Sequence, residues 1–447
     1  MIERKNKDSI FRYPADRVLT DAKLQAFIDK NDQLTAKRYS PLLQAYENDY
    51  KIFHQAKKPA FKPDNRIAVN FAQYITDTFE GFFMGVPARV SATIPAVQEY
   101  LARFEAYSGA DDHNAELSNL VSIFGRAYEI YFVDQHGEID MAYLDPIDGF
   151  MVYDEGIEPD PLYFVRTYYD FDGTRRGSIA DGETVRYFHI AGGIQWDGEP
   201  LPHGFDGVPA TEYVQNRSRR GIFENVLNLI DALNKALSEK ANDVDAFADA
   251  YLKILGAKLQ KEDLDYIRDN RIINMAGDMA GKALDVDFLE RPSADTTQEN
   301  LLNRLEREIF QIAMVVNISD DNFTAASGTA LKYRLQPMIN LAGTKQRKIT
   351  AGFNRRYRLI FSNLCAGVSP DAWTDLSYAF SLNLPSMLSE EADAAGKLSG
   401  ITSRRTQLRV LSCVEDPDQE LKEIEKENDL TAYKTDYPTD RGGDSDG

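Results

Sequence analysis

With 447 residues, 43% of them hydrophobic, the chain has material for more than one domain and a substantial core. No apolar run approaches the roughly 18 residues of a membrane span, and Met1 to Asp8 is charged, unlike a signal peptide. The net charge of -20 argues against a sequence-reading DNA binder, because phosphate binding relies on Lys and Arg displacing counterions. It does not argue against a protein that DNA slides past.

In chain order, residues 20 to 57 read as helical, with Leu24, Phe27 and Ile28, then Leu42, Leu43 and Tyr46, at helical spacing until Pro59 and Pro63. From Asn65, the stretch ending at Gly85 and Pro87 puts Ile67, Phe71, Tyr74, Ile75, Phe79 and Phe82 on one side of a core helix. Another helix is expected near Ala110 to Phe124. Residues 127 to 215 are rich in Tyr, Phe, Val and Ile between turns such as Asp172-Gly173, which predicts a mainly antiparallel β region.

Gly221 to Gly256 carries apolar residues at spacings of three and four and reads as one rod, about 50 Å long if continuous. Between Ala257 and Pro292, Leu284, Val286 and Phe288 alternate with Asp285 and Asp287, as in a half-buried strand of a small inserted domain. A second rod opens on Thr296 and Glu299, a capping-box spacing. It continues with the seam Leu302, Leu305, Ile309, Ile312 and Val316, suited to packing on the first rod. Ser319 to Gly328 is a loop of mainly small and polar residues. The third helical pattern, Thr329 to Leu364, contains Pro337, where a kink or break is expected. Three short polar helices follow Pro385, and Asp429 to Gly447 reads as a disordered tail.

Catalytic signatures are missing. There is no GxxxxGK(S/T) or GxGxxG loop, since Gly277 to Lys282 reads GDMAGK, and there is no HExxH or GxSxG. The five His residues are scattered. Cys365 and Cys413, without a CxxC or Cys/His spacing, are expected to pack as small hydrophobes. YDFDG at Tyr169 to Gly173 lacks the third oxygen ligand and the closing Glu of a calcium loop, so a β-turn is the better reading. No catalytic residue, metal site or cofactor is assigned.

Several blocks resemble, in order, the tailed-bacteriophage portal proteins of the siphophage type. They are NRIAVNFAQYITDTFEGFFMGVP, LDPIDGFMVYDE, the run from VPATEYVQNRSRRG to AYLKILG, ASGTALKYRL, and the stretch from LPSMLSEEAD to EIEKEND. The resemblance implies an α+β portal fold: an α/β wing over residues 1–220, stem helices over 221–256 and 293–317, and a small α/β clip over 257–292. It further implies a tunnel loop over 318–328, a kinked helix and wing return over 329–383, a helical crown over 384–430 and a disordered tail over 431–447.

The function so implied is a twelve-subunit ring at one capsid vertex through which double-stranded DNA is packaged and ejected without sequence specificity. Its implied partners are the terminase large subunit, the major capsid and scaffolding proteins and a head-tail adaptor, with no membrane; its place is the virion, after assembly in the host cytoplasm. Ser319, Asp320, Asp321, Asn322, Phe323, Thr324, Ala325, Ala326, Ser327 and Gly328 would line the channel, the bland alternative being an ordinary interhelix turn. Arg268, Arg271, Asp278 and Lys282 would dock terminase. Lys345, Arg347, Lys348, Arg355, Arg356 and Arg358 read as a basic face that binds DNA or, by preference, an acidic neighbouring subunit. Two other readings stay open: a nucleic-acid-processing enzyme with an unrecognised acidic metal site, and a different ring-forming scaffold.

Overall fold

The computed structural model describes residues 10–59, 62–248, 252–255, 285–288, 295–318, 328–384, 388–411, 413–414 and 417–435. The chain forms two compact units, Met1–Ala325 with Tyr333–Leu382, and Ala326–Lys332 with Asn383–Gly447. The fold is α+β.

The first unit opens with a short strand β1 (Phe11–Arg12) and helix α1 (Asp21–Leu34), whose N-cap Thr20 accepts from Lys23 N. One wide helical turn (Thr35–Tyr39) leads into α2 (Ser40–Tyr46), then α3 (Phe71–Phe83) capped by Asn70. Strand β2 (Arg89–Ser91), α4 (Pro95–Ser108) and α5 (Ala110–Phe124) follow. Gly125 closes α5 at φ 80°, and a Cβ there would stand 2.3 Å from the Arg219 carbonyl oxygen, so only glycine fits.

Nine strands come next: β3 (Arg126–Val133), β4 (Ile139–Leu144), β5 (Gly149–Tyr153), β6 (Pro161–Tyr169), β7 (Arg175–Ala180), β8 (Thr184–Ile190), β9 (Ile194–Trp196), β10 (Leu201–Pro202) and β11 (Ala210–Val214). One sheet runs β1-β5-β6-β7-β8-β10, with β9 also on β8, and every pairing is antiparallel except β1 on β5. The other is β11-β3-β4, antiparallel throughout. The expected β region is therefore present, and the Asp170 carboxylate accepts from Asp172 N and Thr174 N in the turn predicted at YDFDG.

Alternation along the strands builds two cores. Phe150, Val152, Val165 and Phe188 pack on Phe11, Leu24, Phe27 and Ile28, placing α1 on the long sheet, and Arg175 forks onto Asp32 of α1 with two 2.6 Å bonds. Met151 and Phe164, on the other face, pack on Tyr128, Val208 and Ala210, joining the two sheets.

Helix α6 (Leu227–Ala248) is shorter than the predicted rod, about 33 Å. The rest of the pattern contains β12 (Leu252–Leu255), which pairs antiparallel with β13 (Asp285–Phe288), the strand expected from the alternating run. Helix α7 (Asp295–Ala313) begins one residue before Thr296, so the predicted cap lies within its first turn. Glu299 instead pairs with Lys240 of α6. Helix α8 (Gly328–Ser362) runs unbroken through Pro337, and β14 (Ser377–Ala379) pairs with β2.

An extended segment, residues 65–69, lies along α6. Asn65 N donates to Asn242 Oδ1 at 2.6 Å, Ile67 N to Ser238 Oγ at 2.9 Å and Val69 N to Asn234 Oδ1 at 2.8 Å. Asn234, Ser238 and Asn242 are all buried. Side chains one helical turn apart thus take the place of a neighbouring strand and satisfy alternate backbone amides that could not be left bare.

The second unit holds α9 (Leu388–Lys397), α10 (Arg404–Leu408) and α11 (Pro417–Thr435). Ser403 caps α10, accepting from Thr406 N, and Arg405 pairs with Asp418. The three predicted helices are present, but α11 continues to Thr435, so Asp429–Thr435 is helical rather than part of a disordered tail. Residues 436–447 lie outside the described residues.

Candidate functional site

The site starts from the pair α6 and α7, the second of which precedes the small polar segment. Helices α6 and α7 are joined by the Lys240–Glu299 ion pair and by Gln298 Nε2 donating to Asp243 Oδ2 at 3.0 Å. Leu302, Ile309, Phe310 and Ala313 are buried on α7, while Ile312, placed in the seam by spacing, is 47% exposed. Phe310 meets Phe71 and Tyr74 of α3 edge-on, with centroids at 5.1 and 5.7 Å. These rings fix the end of α7 against α3.

The chain leaves α7 through Met314, at φ 60°. Val316 N then donates to Met338 Sδ of α8 at 3.3 Å, Asn317 Nδ2 to Glu306 Oε1 of α7 at 2.9 Å, and Ile318 N to Tyr74 Oη of α3 at 3.1 Å. Of the residues expected to line a channel, Ser319, Asp320, Asp321, Asn322, Phe323, Thr324, Ala325, Ala326 and Ser327 lie outside the described residues, and Gly328 is the first residue of α8. Arg268, Arg271, Asp278 and Lys282 also lie outside them.

The six basic residues of α8 do not share one face. Lys345 and Arg356 are completely buried, so these two leave the predicted surface set. Lys345 Nζ donates to Glu80 Oε1 of α3, the Ser118 carbonyl and Ser122 Oγ, using all three of its protons. Burial pulls its pKa down and Glu80 opposes that shift. Arg356 forks onto Glu129 of β3, Nε to Oε2 at 2.9 Å and Nη2 to Oε1 at 2.6 Å, and stacks over Phe353 at 4.4 Å. Arg355 is half-buried and donates to the Ala210 and Val208 carbonyls. Arg347 and Arg358 are exposed and Lys348 is half-buried.

Glu129 is the centre of a buried polar cluster. Besides Arg356 it receives Tyr131 Oη at 2.6 Å and Tyr213 Oη at 2.9 Å, and His113 Nε2 lies 2.7 Å from it. Burial alone would raise its pKa, but Arg356 and His113 outweigh that and hold it down at about 2. Glu212 of β11 is arranged likewise: Arg219 grips it with two 2.7 Å bonds, Arg126 stands 3.4 Å away, and its pKa is again about 2 against the opposing push of burial. Carboxylates saturated in this way are fixed acceptors and do not serve as proton-transfer bases.

Both carboxylates have folded pKa values below the ordinary 4.5. Their contribution to stability is therefore complete above pH 4.5 and is lost as pH falls toward 2. Glu105, raised to about 7 by burial and Asp111, has the opposite sign, and its contribution is lost as pH rises from 4.5 through 7. Denaturant titrations between pH 4.5 and 2.5 should show a midpoint falling by on the order of a few kcal/mol equivalents of stability. A flat midpoint across that window would contradict the assigned pairing.

No group of three His, Cys, Asp or Glu among the described residues could hold a metal. No described helix is long and apolar enough to cross a membrane. Cys365 and Cys413 are free and exposed, not packed as expected. Cys365 lies in the short helical turn Leu364–Ala366, after α8 has ended.

The family described as "Phage portal protein, SPP1 Gp6-like" matches residues 25–432. The chain is 26% identical over 419 residues to the portal protein of Bacillus phage SPP1, covering 86% of this chain and 80% of that one. It is 21% identical over 415 residues to the portal protein of Clostridium phage phiCD119, covering 86% of this chain and 89% of the relative. With the match running from α1 into α11, through both sheets, the helix pair and the buried ion pairs, this chain belongs to the SPP1 Gp6-like family of phage portal proteins.

Proposed function

We propose that the protein is the subunit of a ring, twelve-fold in the virion, that forms the channel for DNA packaging and ejection at one capsid vertex. Family membership across nearly the whole chain carries this reading. The ring surrounds double-stranded DNA without reading sequence. Residues 319–327, between α7 and α8, line its narrowest part, and a net charge of -20 favours sliding over gripping. Residues 257–292 form the clip that docks the terminase large subunit and later a head-tail adaptor, through Arg268, Arg271, Asp278 and Lys282. The remaining partners are the major capsid and scaffolding proteins, and assembly takes place in the host cytoplasm. Arg347, Lys348, Arg355 and Arg358 are left to meet DNA or an acidic neighbouring subunit. The chemistry is structural, with energy for packaging supplied by a separate ATPase.

The test is to purify the full chain and a form in which Glu262–Leu289 is replaced by a short linker. Electron micrographs of the full chain should show rings with a central hole. The deleted form should remain soluble but lose packaging altogether. A monomeric full chain overturns the ring, and normal packaging by the deleted form overturns the docking role.

A further inference from the structure

Helix α8 carries Lys and Arg but no Asp or Glu, in a chain whose net charge is -20. Its packing divides those cations. Lys345 donates to the Ser118 carbonyl and to Ser122 Oγ of α5, and Arg356 Nη2 donates to Asn114 Oδ1 of the same helix at 2.8 Å. These bonds mark the faces that α5 and α8 turn toward each other.

At about 100° per residue, a position two places away lies about 200° around a helix axis. Arg347 and Arg358 stand two places after Lys345 and Arg356, so both sit on the back of α8, and both are exposed. On α5, Asp112 and Glu116 stand two places before Asn114 and Ser118, so they sit on its back and are likewise exposed. The two backs look away from each other. Two cations and two carboxylates thus lie on opposite sides of the layer that α5 and α8 form, and none of the four makes an ion pair among the described residues. Asp112 is in the first turn of α5, where the helix dipole favours a negative charge. Glu116, a turn further on, has no such support, and a like charge four residues from Asp112 weakens the helix. Asp77 of α3, also exposed, enlarges the acidic side: after burial, it and Glu116 both push the Tyr46 pKa up.

We propose that the back of α8 is a docking surface for a second copy of this chain, with Arg347 and Arg358 meeting Asp112 and Glu116 on the back of that copy's α5. Patches of opposite sign on opposite sides of a subunit cannot meet across one two-fold contact. They can meet head to tail, in a contact that repeats from copy to copy until it closes. Complementary charge sets the register of such a contact, and like charges oppose the wrong one. This inference rests on the ring proposed above and chooses the neighbouring subunit over DNA as the occupant of the basic face. DNA would use the cations and leave the unpaired carboxylates on the far side without a purpose.

The full chain carrying Arg347→Glu and Arg358→Glu should lose rings by more than about ten-fold, and so should the chain carrying Asp112→Lys and Glu116→Lys, since each sets like charges against each other. Co-expressed, the two should recover rings, because each reversed face meets its complement when the copies alternate. Misfolded chains would not be repaired by mixing. Arg347→Gln with Arg358→Gln, which adds no repulsion, should raise the protein concentration for half-assembly several-fold while the thermal midpoint of the subunit stays unchanged. Rings formed by either reversed variant alone overturn the docking surface, as does an unmoved half-assembly concentration in the Gln variant. So does a failure to recover on co-expression when both variants keep the wild-type midpoint. Intact rings that retain less DNA assign the face to DNA and overturn it too. A wild-type chain that stays monomeric overturns the ring itself, a result separate from every variant.

Discussion

Replacing Glu129 with Ala should be among the most damaging single changes in this chain, costing about 3–5 kcal/mol, because it leaves a fully buried Arg356 without its counter-charge. The loss extends beyond that pair. Tyr131, Tyr213 and His113 all address the same carboxylate, and buried groups that lose their acceptor pay the desolvation cost without return. Arg356→Met should cost less, since the carboxylate keeps the two tyrosine donors. The double variant should cost clearly less than the sum of the singles, as coupled residues do. Denaturation midpoints of the four proteins measure this, and strict additivity would show that the pair is not coupled. Gly352 gives an independent check: a Cβ there would stand 2.3 Å from the Tyr213 ring, so even Gly352→Ala should disturb the same cluster.

The second large effect concerns passage. On the proposed channel role, replacing Ala325 and Ala326 with Trp should lower DNA packaging by more than about ten-fold, because pore diameter governs transport and a ring repeats each substitution around its axis. Ring assembly should survive, since both residues fall between the bounds of α7 and α8. Packaging at the wild-type rate by rings carrying both Trp residues would show that 319–327 does not face the channel.

Much of this fold is legible from periodicity, and its failures have physical causes. Helix α8 and the antiparallel region appear where spacing puts them, whereas α3 begins only at Phe71: residues 65–69 are not helical but bond to α6, which leaves Ile67 42% exposed instead of on a buried helix face. The rod expected from spacing is longer than α6 because Leu252 to Leu255 is a short apolar run, which fits a strand as well as a buried helical turn. Its β12–β13 pairing joins positions 30 or more residues apart, beyond the reach of a local pattern. The channel and clip roles proposed for residues 319–327 and 257–292 rest on the family resemblance, since a small polar run and one alternating strand fit many loops and insertions.

Lys345 and Arg356 teach a different lesson. Charge alone suggested a surface, yet Met338, Ala342, Lys345, Ile349, Phe353, Arg356 and Ile360 form one buried stripe at steps of three and four. The two cations interrupt an apolar face, and that periodicity was the available signal that they are inside. Their partners Glu80 and Glu129, 265 and 227 residues distant, carry no mark that links them to α8. Nor does any local feature single out the Tyr74 hydroxyl as an acceptor for Ile318.

The bonding of residues 65–69 to α6 sets a limit on how this sequence can drift. Four helical residues advance about 6.0 Å and two extended residues about 6.8 Å, so the rungs at Asn234, Ser238 and Asn242 keep step with Val69, Ile67 and Asn65 over this short span only. One residue inserted between Asn234 and Asn242 would swing the later rungs about 100° around the axis and release the amide they serve. Descendants of this gene can therefore exchange Asn, Ser and Thr at those positions, but they cannot easily gain or lose a residue between them. Length variation in the portal should collect instead at places where no second element is counting turns.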